Sequence, residues 1–206
     1  MTPVFGIASF VILYFVATFY YPGGSQFDKN SIGFSWKDNY WCNLLNDEAI
    51  NGQSNSAQPI ALIAMFILCV TLAIFWLQFP KYTNLSKTYK LTIQINGILA
   101  MLIGLFLFTK FDHDLITKLA SLFGLIATTG TLIGLFKNGW KTLSYFGLLN
   151  ILLVIANNIL YYNKELICYL PIVQKITFLT FLIWICSIGL KIFGLKNEKP
   201  PLSRSF

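Results

Sequence analysis

"PIALIAMFILCVTLAIFWLQF", residues 59–79, runs for 21 positions without a charged side chain. A helix needs roughly 20 apolar residues to cross the hydrocarbon core of a bilayer, which is about 30 Å thick. The stretch is therefore long enough and apolar enough to span a membrane. A lone strand in lipid would leave its backbone N–H and C=O groups unpaired, so the span is expected to be a helix.

Similar apolar blocks recur along the whole chain. Its 206 residues are 56% hydrophobic and 11% charged, with a mean hydropathy of +0.65, whereas a soluble domain carries about 25% charged residues. The alternation of polar and apolar residues that a porin-like barrel requires is not present. The sequence predicts an all-α integral membrane protein, a single domain over residues 1–206 that forms a six-transmembrane-helix bundle. The spans are expected at about 3–21, 59–79, 92–109, 115–136, 142–161 and 172–194.

The first span, residues 3–21, needs its own consideration because a secretory signal peptide is also apolar. It has no Lys or Arg before its apolar run, and no small-x-small cleavage site where Phe19, Tyr20 and Tyr21 stand. Tyrosines at the end of a span are typical of an interfacial aromatic anchor. We therefore expect a retained first span.

The charged residues predict the orientation of the bundle. Nine of the 15 Lys and Arg residues follow the second, fourth and sixth spans, with Glu198 as the one acid on that side. The opposite side has six cations and seven acids. Because cytoplasmic loops collect Lys and Arg, both termini, including the tail 195–206, are expected to be cytoplasmic. No basic stripe is interleaved with exposed aromatic residues, so nucleic-acid binding is not expected.

One connection is much longer than the others. Residues 22–58 should lie outside the cell, and a loop of this length is usually functional or disordered. Disordered segments have few aromatic residues, but this one has Phe27, Phe34, Trp36, Tyr40 and Trp41. We expect residues 36–45 to pack as a short interfacial helix or a lid over the bundle, followed by a turn-rich segment that leads to Pro59.

The four cysteines divide by their depth in the predicted bundle. Cys69 and Cys186 fall inside spans, where a thiol behaves as a small hydrophobic group. Cys42 and Cys168 fall in outside loops, where an oxidising environment permits a disulfide. The alternatives for this second pair are a disulfide between the two loops, which requires Cα atoms within about 7 Å, or two separate half-buried thiols.

The sequence Asp112-His113-Asp114 contains the only histidine of the chain. In a structural interpretation, Asp114 is the N-cap of the fourth span, Asp112 interacts with the helix dipole, and Lys118 pairs with Asp114 or extends to the headgroups. In a catalytic interpretation, His113 is a general base or a metal ligand, because histidine titrates near neutrality, and Asp112 or Asp114 orients its imidazole.

A single histidine also excludes several kinds of site. Bis-histidine haem ligation within one chain is impossible, and a multi-histidine zinc site cannot be built. No G-x-S-x-G or H-E-x-x-H motif is present. The acids and Cys42 on the outer side have no spacing typical of metal ligands, so neither a metal nor a cofactor is predicted.

Polar residues within the spans form a second group of candidates. Asn150 and Asn157 are seven residues apart and share a helix face. Their common use in membranes is hydrogen bonding between helices. The alternative is a ligand-binding pocket at the outer end of the bundle, where Asn157 and Asn158 would lie near Lys118 and Lys175. Amides and lysines together suit a lipid headgroup or a small polar ligand.

The chain resembles a family of bacterial six-helix membrane proteins, the domain of unknown function numbered nine-nine-eight. The resemblance is carried by Tyr40, Cys42, Asn43 and Leu44 in "NYWCNLL", by Asn55 in "SNSAQP", and by the Asp112-His113-Asp114 turn. In layout the chain is more distantly similar to the Frag1/DRAM/Sfk1 type. The resemblance implies a six-helix fold with a long outer loop, and it implies no particular reaction.

The function that the sequence favours is non-enzymatic. We expect an accessory or structural protein of a bacterial inner membrane that binds membrane lipids, or a membrane-protein partner in a larger complex, through its outer face. Trp36, Trp41, Tyr161 and Tyr162 are expected at that interface, with Trp36 and Trp41 as ligand-binding residues. One alternative is an enzyme acting on a lipid or lipid-linked substrate with His113 as base, and another is a small transporter.

Overall fold

The computed structural model describes residues 1–106 and 113–197, and the side chains of residues 1–106 and 115–195. The prediction of an all-α fold is confirmed for these residues. The six helices are α1 (Thr2–Phe19), α2 (Gln58–Gln78), α3 (Lys87–Leu105), α4 (His113–Lys137), α5 (Lys141–Tyr162) and α6 (Leu170–Asn197). Short 3₁₀ helices cover Trp41–Leu45, Phe79–Tyr82 and Ile167–Tyr169.

The six helices form a closed ring in chain order. Each helix packs against the helices before and after it in the sequence, and α1 also packs against α6, which closes the ring. Contacts between the helices fit an antiparallel arrangement of neighbours: Gly6 of α1 faces Thr71 of α2, Gly97 of α3 faces Trp76 of α2, and Gly130 of α4 faces Ile93 of α3. The connections α2–α3 and α4–α5 therefore lie at one end of the bundle, and the connections α1–α2 and α5–α6 lie at the other.

Five of the six helices are long and apolar enough to cross a membrane. These are the helical segments Gln58–Tyr82, Lys87–Leu105, Leu115–Lys137, Lys141–Tyr162 and Ile167–Leu195, which correspond to the predicted spans two to six. The first helix is also apolar, but it is shorter than predicted and ends at Phe19. Tyr20 and Tyr21 belong to the connection that follows it. A multi-pass membrane protein is thus confirmed by helix length and hydropathy.

The connections α2–α3 and α4–α5 are joined to each other at one end of the bundle. The Asn138 side chain accepts a hydrogen bond from the Asn84 backbone N–H at 2.9 Å and donates one to the Tyr82 carbonyl at 2.7 Å. The Lys137 ammonium lies 5.5 Å from the centre of the Tyr89 ring. This end carries the excess of cations. The opposite end carries the long connection between α1 and α2.

Close packing of α2 against α3 depends on Gly97. A Cβ at this position would lie 2.5 Å from Cβ and Cγ of Trp76, a residue that is almost fully buried. We expect Gly97→Ala to lower the free energy of unfolding by about 1–3 kcal/mol, because overpacking displaces well-packed side chains. Thermal unfolding in a mild detergent measures the change.

The matched control for that substitution is Gly124→Ala in α4. Its added Cβ would lie 3.9 Å from the Ala100 Cβ, an ordinary contact distance, and alanine favours the helix over glycine by up to about 1 kcal/mol. This variant should be as stable as the wild type or more stable. Equal destabilisation by both substitutions would contradict the packing of α3 on Trp76.

Candidate functional site

The long connection between α1 and α2 is a folded unit, which we name the cap (residues 20–57). Isolated antiparallel bridges pair Gly23 with Ile32 and Glu48 with Ser54. The 3₁₀ helix Trp41–Leu45 lies between the bridges, and its Asn43, Leu44 and Leu45 side chains are buried. A short helix is thus present within residues 36–45, which were predicted to form a short interfacial helix or a lid; the position of this helix at a membrane interface stays a prediction. The cap packs on the end of the bundle, where its 3₁₀ helix contacts α2 and α6.

Three buried asparagines hold the cap together. Asn39 donates to the Gly24 carbonyl at 2.8 Å and accepts from the Ser35 N–H at 2.8 Å. Asn43 accepts from the Tyr40 N–H at 2.7 Å and from the Asn39 amide at 3.4 Å. Because buried polar groups need partners, side chains with both donors and acceptors suit the centre of a segment without regular secondary structure.

Asn55 makes the largest number of these hydrogen bonds. Its side chain is only 4% exposed. The amide nitrogen donates to the backbone carbonyls of Asn43, Leu44 and Asn46 at 3.2, 3.2 and 2.8 Å, and the amide oxygen accepts from the Ala57 N–H at 3.1 Å. One side chain thus joins the 3₁₀ helix to the start of α2.

Gly24 is one of the positions where the cap backbone favours glycine. Its φ is +82°, and a Cβ there would lie 2.4 Å from the backbone nitrogen of Asn51 and 2.8 Å from the carbonyl carbon of Ile50. The close approach brings the two halves of the cap together, and the Gly23 carbonyl accepts a hydrogen bond from the Asn51 N–H at 3.3 Å.

Trp41 joins the cap to two helices of the bundle. Its carbonyl accepts a hydrogen bond from the Tyr14 hydroxyl at 2.9 Å, and its backbone N–H donates to the Gln174 side chain at 3.2 Å. Its ring stacks on Tyr14 at 4.9 Å between centroids and contacts Phe178 at 5.4 Å. The ring of this partly buried residue packs between α1 and α6, and its place at the outer interface stays a prediction.

Lys175 reaches from α6 to the underside of the cap. Its ammonium donates to the Asn39 carbonyl and, at 2.9 Å, to the carbonyl of Pro171. It also lies 5.7 Å from the centre of the Phe34 ring, within the range of a cation–π contact. The sequence predicts a ligand-binding role for this lysine, and the structure places its ammonium on carbonyl groups of the chain itself.

We expect Lys175→Met to loosen the cap while leaving the helices intact. Methionine keeps the apolar stem but removes the donor to Asn39, and a hydrogen bond from a charged group contributes about 1.5–3 kcal/mol. Amide hydrogen exchange in residues 20–57 should become about tenfold faster, since 1.4 kcal/mol corresponds to a factor of 10. Lys191→Met, on the exposed surface of α6 near its other end, is the control. Unchanged exchange in Lys175→Met would show that the lysine does not fasten the cap.

Trp36 lies at the edge of the cap beside α1. Its side chain is 46% exposed, and its ring lies 5.7 Å from Phe15 of α1 and 5.5 Å from Phe34 of the cap. This exposure is compatible with the predicted place of Trp36 at the outer interface, which stays a prediction. Tyr161 and Tyr162, near the end of α5, are also exposed.

The predicted outer pocket combines Asn157, Asn158, Lys118 and Lys175, and the structure shows contacts of the two asparagines. Asn157 donates to the Leu153 carbonyl at 2.8 Å and to the Thr177 hydroxyl of α6, which confirms a hydrogen bond between helices. Asn158 is exposed and donates to the Val154 carbonyl at 2.9 Å. Lys118 is exposed on α4. A common pocket of these residues with Lys175 stays a prediction.

Asn150 does not form the expected hydrogen bond between helices in the described structure. Its side chain is buried, and its amide nitrogen donates to the Phe146 carbonyl of its own helix at 2.9 Å. Its amide oxygen has no donor among the residues that the structure describes. The buried indole N–H groups of Trp41 and Trp76 likewise have no hydrogen-bond acceptor among the described residues.

The acid-histidine turn lies at the border of the described residues. Asp112 falls outside them, and the side chains of His113 and Asp114 are likewise outside the described part. The described part of α4 begins at His113, and Asp114 follows it in the helix. The N-cap role of Asp114 stays a prediction. The catalytic role of the three residues stays a prediction.

The two outer cysteines are present as thiols in the structure. Cys42 is half-buried in the 3₁₀ helix of the cap. Cys168 is exposed in the α5–α6 connection, where its thiol lies 3.9 Å from the Glu165 carbonyl. Their disulfide stays a prediction. Within the described part of the chain, no group of three or more His, Cys, Asp or Glu residues is placed to hold a metal ion.

Burial changes the acidity of a tyrosine in the cap. Tyr40 is half-buried, and this desolvation raises the pKa of its phenol above the ordinary value; Cys42 and Tyr161 raise it further. A raised pKa keeps the phenol neutral at physiological pH, where it is a hydrogen-bonding group and not a nucleophile.

An open groove of about 630 Å³ lies away from the cap, between α1 and α2. It occupies the opposite half of the bundle and has mainly apolar walls, formed by Met1, Thr2, Phe5, Gly6, Ser9, Phe66, Ile67, Val70, Thr71 and Ile74. Phe5, Phe66 and Val70 in its walls are exposed. It contains none of the predicted site residues.

No family model, curated protein or solved structure matches this chain. The resemblance to the nine-nine-eight family therefore stays a prediction. The cap and the helix ends that it contacts are the candidate functional site, on the strength of their geometry alone.

Proposed function

We propose that this chain is a six-span protein of a bacterial inner membrane, with both termini in the cytoplasm and the cap outside. The length of α1 supports its role as the sixth span, because 18 residues extend about 27 Å at 1.5 Å per residue. Its packing against both α2 and α6 supports the same role. The nine cations that follow the second, fourth and sixth spans in the sequence favour this orientation.

We further propose that the protein is a non-enzymatic accessory protein that binds membrane lipid through the cap. One observation carries this proposal: the cap satisfies its buried asparagines within the chain and leaves large apolar side chains exposed. Phe27, Ile32 and Trp36 are 53%, 97% and 46% exposed. Exposed apolar side chains on a well-packed unit are typical of a surface that meets lipid or another protein.

Native mass spectrometry of the protein released from mild detergent tests the proposal. Wild type should retain a reproducible set of lipids, and Asn55→Ala, which disrupts the centre of the cap, should lose them. Asn46→Ala is the control, since the Asn46 side chain is exposed, and it should retain them. Equal lipid retention in all three proteins, or retention of a protein subunit in place of lipid, would contradict lipid binding by the cap.

A further inference from the structure

The exposed face of α1 is a continuous apolar stripe. Phe5, Ile12 and Phe19 are seven residues apart and therefore lie on one face of the helix, together with Phe15. All four side chains are more than half exposed. An exposed apolar stripe along a membrane-spanning helix faces the lipid chains. Phe15 and Phe19 are at the outer end of this stripe.

The cap adds aromatic rings to the end of that stripe. Phe15 contacts Phe19 at 5.1 Å and Trp36 at 5.7 Å between ring centroids. Phe34 lies behind Trp36 at 5.5 Å, in an edge-to-face arrangement, and contacts Tyr21 at 5.7 Å. Trp36 therefore lies on the lipid-facing side of the cap and not on its top. It continues a surface that α1 already presents to lipid.

The position of Phe15 gives the depth of Trp36. Phe15 precedes the end of α1 at Phe19 by four residues, which corresponds to about 6 Å along the helix axis. A ring in contact with Phe15 thus lies about one helical turn inside the end of the span. This is the level of the headgroups and the first carbons of the acyl chains, where tryptophan is enriched in membrane proteins.

The charges near Trp36 indicate which lipids it meets. Residues 22–40 contain two lysines, Lys29 and Lys37, and two aspartates, Asp28 and Asp38. The segment is therefore neutral, and attraction to anionic headgroups is not its driving force. Insertion of the indole, with an apolar body and a polar N–H, requires no particular headgroup charge.

We propose that Trp36 is a membrane anchor of the cap, inserted at the headgroup level of the outer leaflet beside Phe15 and Phe19. Its partner is the phospholipid interface itself, irrespective of headgroup charge. The anchor holds the exposed edge of the cap on the membrane, while Lys175 and Trp41 fasten its other side to α6. This inference rests on the proposed outer position and lipid contact of the cap, and it assigns that contact to one side chain.

Quenching of tryptophan fluorescence in nanodiscs tests the anchor. The full chain is placed in neutral phosphatidylcholine that is brominated at acyl positions close to the headgroup. Wild type should lose part of its fluorescence, and Trp36→Phe should remove roughly half of that loss; the half-buried Trp140, at the opposite end, accounts for much of the rest. Trp41→Phe is the matched control and should leave the quenching unchanged, since the Trp41 ring lies between α1 and α6.

Three results would overturn the anchor. Equal quenching in wild type and Trp36→Phe would show that the Trp36 indole does not reach lipid. Quenching that appears only with anionic lipid would assign the contact to the lysines. Protection of Trp36 from both bromolipid and aqueous acrylamide in the nanodiscs would show that protein covers the ring. In the first two cases lipid retention in native mass spectrometry is still expected, so the anchor fails separately from the proposed function.

Discussion

Gly24→Ala should open the cap, with an effect of about 3 kcal/mol or more on its local stability. The substitution adds a methyl group 2.4 Å from the Asn51 backbone nitrogen, and a backbone atom cannot move aside as a flexible side chain can. It also forces alanine to adopt a φ of +82°, which costs an L-residue about 1–2 kcal/mol. Hydrogen exchange in residues 20–57 should become at least about 100-fold faster, since each 1.4 kcal/mol is a factor of 10.

Gly52→Ala separates the cost of the positive φ from the cost of the steric clash. Gly52 has a φ of +83°, and a Cβ there would meet no atom within 4 Å. It therefore carries the conformational cost of Gly24→Ala without the clash, and its exchange should increase only by about tenfold. Similar exchange in the two variants would mean that the two halves of the cap do not approach each other as closely as the structure shows.

Asn55→Ala should destabilise the cap by about 2–4 kcal/mol. The substitution removes the donor to the carbonyls of Asn43, Leu44 and Asn46, and the acceptor for the Ala57 N–H. A hydrogen bond contributes about 0.5–1.5 kcal/mol, and a buried group left without a partner costs about 1–3 kcal/mol. Limited proteolysis should cleave residues 20–57 of this variant under conditions that leave the wild-type cap intact.

Asn55→Asp is a second test of the Asn55 amide, and Asn46→Ala is the control. Aspartate keeps the acceptor for Ala57 but replaces the donor with a second acceptor that faces three carbonyls, so its cap should be cleaved at least as readily as that of Asn55→Ala. Asn46→Ala changes an exposed side chain and should resist like the wild type. A protease-resistant Asn55→Ala cap would contradict the central position of this amide.

The membrane spans could be predicted from the sequence because hydrophobic length is a property of consecutive residues. Residues 59–79 identify α2 without reference to any other part of the chain, and the other four long spans follow in the same way. The first helix shows where this reasoning stops. Tyr20 and Tyr21 are apolar enough to extend the predicted span, but the cap turns the chain away from the helix after Phe19, and that turn depends on tertiary contacts.

The cap could be predicted only in outline. Its aromatic residues indicate a packed segment, and the short helix within residues 36–45 follows from them. The burial of Asn39, however, depends on the Gly24 carbonyl 15 residues away, and no local pattern shows that pairing. The sequence pointed to Asn43 and Asn55 only through a family resemblance.

Lys175 and Trp41 show why residue type alone does not assign a site. A lysine near the end of a span and a tryptophan in an outer loop both fit ligand binding at an interface. Whether each meets a ligand or its own protein depends on how the cap is placed over α6. The Asn39 carbonyl lies 136 residues from Lys175 in the chain. The spacing of residues in the sequence cannot predict a contact between positions so far apart. The Pro-Gly-Gly sequence at residues 22–24 is a local signal for a backbone turn that needs glycine.

The measurement that tests the account most directly is thiol labelling in spheroplasts with a maleimide that does not cross membranes. Ser54→Cys places a thiol in the cap, and Ser86→Cys places one in the α2–α3 connection at the opposite end; both positions are exposed. Each is introduced into a Cys168→Ser chain, which itself gives the background. A cap outside the cytoplasmic membrane predicts that Ser54→Cys is labelled in intact spheroplasts and Ser86→Cys only after permeabilisation. The reverse pattern, or labelling of both positions without permeabilisation, would contradict an outer cap on a membrane-spanning bundle.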